Sequence, residues 1–111
     1  MKLLPILLLA ATIPAHAQFV SGNDLLSSLN SNNQVTRTGA VGYVVGVHDT
    51  TKGVVQCSPP GVTIGQVTDM AVAMLNGLPN YRDKPADVLL TAMFSATWPC
   101  AKKPTSTERP A

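Results

Sequence analysis

Two cysteines that bracket two helical patterns constrain this chain more than any other feature. Thr63 and Gln66 have the spacing of a capping box, in which the threonine hydroxyl takes a backbone N–H of the first turn and the glutamine reaches back. Ile64, Val67, Met70, Ala71, Met74, Leu75 and Leu78 follow at intervals of three and four, and Asn76, Gly77 and Pro79 close the run. This predicts an amphipathic helix over 64–77. A second helix is expected over 85–97, with Asp83 as its cap and Pro85 in a first turn where a missing N–H costs nothing. From 86 to 97 its only polar residues are Asp87, Thr91, Ser95 and Thr97, so it must bury more than one face. It reads either as the central core helix or as a helix with one face turned to a partner. If the two helices form an antiparallel hairpin, Cys57 and Cys100 meet at its open end.

The redox context follows from the start of the chain. Met1 and Lys2 give a short positive beginning, residues 3–13 are apolar apart from Pro5 and Thr12, and Ala15-His16-Ala17 is a small-x-small cleavage site. The apolar run is shorter than the roughly 20 residues a membrane span needs, and no cysteine follows it to accept a lipid. Residues 1–17 therefore read as a cleaved signal peptide, which sends the mature protein out of the cytoplasm into an oxidising compartment. There the two cysteines are expected to pair as a Cys57–Cys100 disulfide. The loop it closes holds 44 residues, which in the chain-entropy model is worth about 4 kcal/mol. Against a domain stability of roughly 5–15 kcal/mol that is a large share.

The remaining segments also read as helix and loop. Ser21, Asn23 and Asp24 supply N-cap candidates before Leu25, Leu26 and Leu29, which predicts a short helix over 23–30. Residues 31–34 are polar and break the pattern. Ala40-Val41-Gly42-Tyr43-Val44-Val45-Gly46-Val47 has the valines of a strand, but no second β-rich segment is available to pair with it, and a lone strand leaves its backbone groups unsatisfied. A helix over 35–50 is expected instead, with Gly39, Gly42 and Gly46 forming a small-residue stripe where another helix could come close. Residues 50–61 contain Gly53, Pro59, Pro60 and Gly61 and form a loop that carries Cys57. The tail, 101–111, is rich in Lys, Pro, Thr and Ser and reads as disordered. The expectation is one all-α domain over 18–100, a small four-helix fold with a disulfide-stapled C-terminal hairpin.

Charge and composition then remove whole function classes. Loss of residues 1–17 takes Lys2 with it and leaves a net charge one below the +2 of the whole chain. The body carries only Arg37, Lys52, Arg82 and Lys84 against Asp24, Asp49, Asp69, Asp83 and Asp87. That near-neutral balance lacks the basic footprint of a nucleic-acid binder. The mature chain has one histidine, His48, and its one glutamate, Glu108, lies in the tail, so acid–base and nucleophilic constellations are hard to assemble. His48 and Asp49 are neighbours on a helix, whose side chains point about 100° apart, and are not expected to bond as a catalytic pair. With both cysteines committed to a disulfide, no closed zinc site remains. Neither a metal nor a cofactor is expected, and the chain does not read as an enzyme.

An ordered set of short motifs remains: Ser21-Gly22-Asn23-Asp24-Leu25-Leu26, Gly42-Tyr43-Val44-Val45-Gly46-Val47-x-Asp49, Cys57-x-Pro59-x-Gly61-Val62-Thr63-x-x-Gln66, Pro85-Ala86 and Trp98-Pro99-Cys100. In this order and behind a signal peptide they resemble the Rap/Tai family, small helical periplasmic immunity proteins that protect bacteria from amidase toxins delivered by type VI secretion. The similarity covers about residues 19–100. Many relatives carry a second cysteine pair at positions occupied here by Leu29 and Ala40. The resemblance implies a protein, often a dimer, that presents a loop to the toxin's active-site cleft. Here that loop is 49–58, tethered at Cys57, with Asp49, Lys52 and Gln56 as its polar contacts; the same stretch also reads as a plain connector. A homodimer would pack through the Gly42/Gly46 stripe or the apolar last helix. The alternative from another class is a small periplasmic chaperone, also helical and held by one disulfide.

Overall fold

The computed structural model describes residues 19–101. The expected signal peptide at 1–17 and the tail beyond 101 lie outside them. The order is α1 (Gly22–Leu29), α2 (Gln34–Thr51), α3 (Ile64–Gly77), a 3₁₀ turn (Pro79–Tyr81) and α4 (Ala86–Thr97), with no strand among the described residues. No helix in this set is long and apolar enough to cross a membrane.

Each helix buries a stripe of residues four apart: Leu25 and Leu29; Ala40, Val44 and His48; Val67, Ala71 and Leu75; Ala86, Leu90 and Phe94. A spacing of four keeps these side chains on one face of a 3.6-residue helix, which is what a single shared core demands. Both α1 and α2 pack against all the other helices, α2 more extensively against α3 and α4. The sequence pattern pointed to α4 as the central helix, but its buried stripe occupies one face, while Val88 is 56% exposed and Ala92 is exposed too. The α2 segment is helical as expected, although its glycines do not serve a close crossing: a Cβ added at Gly39, Gly42 or Gly46 meets nothing within 4 Å. Ala40 and Val44 make the contact to the core instead.

The caps show where local signals held. Ser21 and Asp24 form a full capping box on α1, with the Asp24 N–H donating to Ser21 Oγ at 3.0 Å and the Ser21 N–H to Asp24 Oδ2 at 3.3 Å. At α3 only half of the expected box forms: Gln66 N–H donates to Thr63 Oγ1 at 3.0 Å. Asp83 does not cap α4. Pro85 is the N-cap, no side chain bonds to the first turn, and the exposed Asp83 lies 3.9 Å from Lys84 Nζ. The start of α4 is secured by the chain ahead of α1, since Ala86 N–H donates to Val20 O at 2.7 Å and Gly22 N–H to Lys84 O at 2.9 Å. A backbone partner brought in by tertiary packing has replaced the side-chain cap.

The two C-terminal helices are joined at their far end by the short 78–85 connection, and Cys57 and Cys100 are bonded with their Cα atoms 4.8 Å apart. Both helices take more of their contact from α1 and α2 than from each other. The disulfide therefore ties the loop after α2 to the end of α4, as well as closing the hairpin.

Candidate functional site

The loop after α2 begins with an orderly helix stop. Gly53 has φ +79°, the left-handed conformation that glycine adopts without steric cost. Thr51 O then accepts three N–H groups, from Val54 at 3.0 Å, Val55 at 3.1 Å and Gln56 at 3.2 Å, while Gly53 N–H donates to Gln56 O at 2.7 Å. The result is a tight turn whose apex is 52–55.

Its base is fastened to α4. Cys57 N–H donates to Trp98 O at 2.8 Å, beside the disulfide, and Ser95 Oγ donates to Val55 O at 3.0 Å. Beneath the loop His48 stands edge-on to Phe94, with ring centroids 5.2 Å apart, and to Trp98 at 5.8 Å. Phe94 and Trp98 are nearly parallel at 6.0 Å. These three rings, two from α4 and its end and one from α2, form the floor on which the loop rests.

The structure divides the expected contact residues. Asp49 and Lys52 are exposed. Gln56, expected as a polar tip, is 0% exposed. Its Nε2 donates to His48 O at 3.0 Å and to Thr51 Oγ1 at 3.3 Å, and its Oε1 accepts from Ser58 N–H at 2.7 Å. The reason is the helix end above it: His48 O, already bonded to Lys52 N–H, has a second lone pair free at the end of α2, and an amide that both donates and accepts can bridge it to the returning chain. Gln56 is an internal strut, and the apex belongs to residues the sequence did not single out, Val54 at 73% and Val55 at 43% exposure. The signal was present: two consecutive valines between Gly53 and Gln56 have no apolar partner at helical spacing.

His48 also departs from expectation. It is 9% exposed, its Nε2 lies 3.0 Å from Ser58 Oγ, and its Nδ1 lies 3.4 Å from Asp49 Oδ1. Neighbours on a helix can thus touch when the ring turns back toward the flexible carboxylate, though 3.4 Å is the weak limit of such a contact. The order Asp49, His48, Ser58 is that of a hydrolase triad. Ser58, however, is only 6% exposed, so a substrate has no approach to its hydroxyl, and the series serves to hold 58 against α2. Among the described residues no three metal-ligating side chains come together.

Beside the loop, α2 and α4 leave a groove of about 580 Å³ lined by Tyr43, Gly46, Val47, Thr50, Asp87 and Thr91. Burial, and after it the nearby Asp87 carboxylate, push the pKa of the Tyr43 hydroxyl up.

Comparison with known proteins adds one finding. The model of a family described as Rap1a immunity proteins matches residues 21–100, from the N-cap of α1 to the second cysteine. No curated protein matches the chain.

Proposed function

The chain belongs to the Rap1a immunity protein family, and from that membership we propose that it neutralises a peptidoglycan amidase delivered by type VI secretion, binding the enzyme in the periplasm and covering its active site. The observation that carries the reading is the loop after α2, an exposed turn whose base is held by the Cys57–Cys100 disulfide, the Ser95 hydroxyl and the buried Gln56 amide. A loop already fixed in one conformation loses little entropy on binding, which favours its use as a plug. Asp49 and Lys52 flank this turn, exposed at the rim of the contact. The action is stoichiometric: the chain binds the toxin and turns nothing over.

The experiment is a titration of the mature chain into purified secreted cell-wall amidases from the same genome, with release of peptidoglycan fragments as the readout. One amidase should lose activity linearly to an equimolar end point. Cells directing that amidase to their own periplasm should lyse unless the chain is co-expressed with residues 1–17 in place, and a version lacking them should not protect. If no amidase is bound, the immunity reading falls.

A further inference from the structure

We propose that the surface entering the toxin is an apolar knuckle, Val54 and Val55, and that the partner receives it in an apolar-walled cleft, with Lys52 acting only on the rate of encounter. The inference rests on the immunity reading above and specifies the chemistry of the contact.

The argument starts from the backbone. Gly53, Val54, Val55, Gln56 and Cys57 each donate their N–H within the chain, to Gln56 O, three times to Thr51 O, and to Trp98 O, and Ser58 N–H goes to Gln56 Oε1. No N–H from 53 to 58 is left for a partner, so this segment cannot bind by adding a strand to a foreign sheet edge. Carbonyls and side chains remain to make the contact, and any preference for an apolar or polar cleft comes from the side chains. Of those in the turn, Gln56 is turned inward and fully occupied, Gly53 has none, and Lys52 and the two valines face solvent.

Isolated exposed apolar side chains are ordinary on a protein surface. These two differ because they are adjacent, sit at the apex of a turn, and have a backbone pinned on both sides, with Val55 O itself held by Ser95 Oγ. Two valines offer little area, so they contribute to affinity only if a concave partner surrounds them and removes them fully from water. That requirement selects a cleft over a flat surface. Lys52, beside the apex and exposed, suits long-range attraction to an acidic cleft rim more than a fixed bond.

The test uses the mature chain and the amidase identified by titration. Val54→Ser/Val55→Ser should raise Kd about a hundredfold with little change in the thermal midpoint, because Val54 is 73% and Val55 43% exposed and neither packs on the core. Lys52→Ala should change Kd less than about tenfold, mainly through a slower and less salt-dependent association. If the double variant binds like the parent, the knuckle is not the contact even though the immunity reading stands. The proposal is equally overturned if Lys52→Ala loses as much affinity as the double variant. If the parent self-associates and the double variant becomes monomeric with amidase binding intact, the knuckle serves a second copy and the proposal again fails. A parent that binds no amidase removes both this inference and the reading beneath it.

Discussion

At the scale of single residues, Gln56 is where helix termination and loop geometry are joined. His48 O accepts from Lys52 N–H at 3.1 Å and from Gln56 Nε2 at 3.0 Å, so the amide completes the end of α2 while its oxygen holds Ser58. Removing it leaves a buried backbone donor at Ser58 without a partner, which costs about 1–3 kcal/mol. Gln56→Ala should therefore lower the unfolding free energy by that amount, read by urea denaturation. Gln56→Glu should fall in the same direction at neutral pH, since a carboxylate still accepts from Ser58 but offers no donor to His48 O and places a charge in a buried site. Lys52→Ala, on the exposed side of the same turn, should stay within about 0.5 kcal/mol. A change that small in Gln56→Ala would show the strut to be energetically idle. Sequence alone could not separate these two residues, because a polar side chain in a Gly/Pro-rich loop is equally consistent with a tip and with a strut.

At the scale of elements, the glycines divide by what surrounds them. A Cβ at Gly22 would lie 2.8 Å from Leu89 Cδ1 and 3.0 Å from Arg82 O, so the first turn of α1 is pressed against the connection that leads into α4. In α2 a Cβ at Gly39 or Gly42 meets nothing within 4 Å. Opposite signs follow. Gly22→Ala should destabilise by about 1–3 kcal/mol through steric displacement. Gly39→Ala and Gly42→Ala should each stabilise by about 0.5–1 kcal/mol, because alanine loses less backbone entropy in a helix interior. Thermal denaturation at several concentrations, with sedimentation analysis, separates this from a packing role. If the open face of α2 rests on a second copy, Gly42→Ala should weaken association and its stabilising effect should disappear at high concentration. The helices themselves were legible because caps and spacing of three and four are local. The face of α2 that would be buried was not, since its valines, glycines and tyrosine surround the axis and only the neighbouring helices select Ala40, Val44 and His48.

At the scale of the whole molecule, the disulfide and the two hydrogen bonds beside it form a joint between the loop after α2 and the end of α4. Opening it releases a segment of 44 residues, counted from Cys57 to Cys100, and the chain-entropy model assigns such a closure about 4 kcal/mol, with measured values commonly about 2–4. Cys57→Ser/Cys100→Ser should lower stability by about that much, a shift of several degrees per kcal/mol in a domain of this size. On the proposed immunity function, inhibition of the amidase should also weaken at temperatures where the variant is still folded, because Cys57 N–H and Val55 O lose the geometry that holds them to Trp98 and Ser95. Retention of full inhibition by a folded, reduced variant would show that the remaining hydrogen bonds suffice to fix the turn.

Four helices, Ser21 among the cap candidates of the first, the helical state of 40–47 and the pairing of Cys57 with Cys100 were all written in the order of the residues. Each depends on interactions between near neighbours along the chain, or on a residue with one available partner. Packing, in contrast, chose which groups a distant segment would satisfy. Asp83 lost the cap of α4 because Val20 O reached Ala86 first, a bond across more than sixty positions of chain. Gln56 turned inward because an unfinished helix end lay above it. Val54 and Val55 were left outside because the turn at Gly53 and the anchored residues 56–58 put them at the apex, beyond reach of the core.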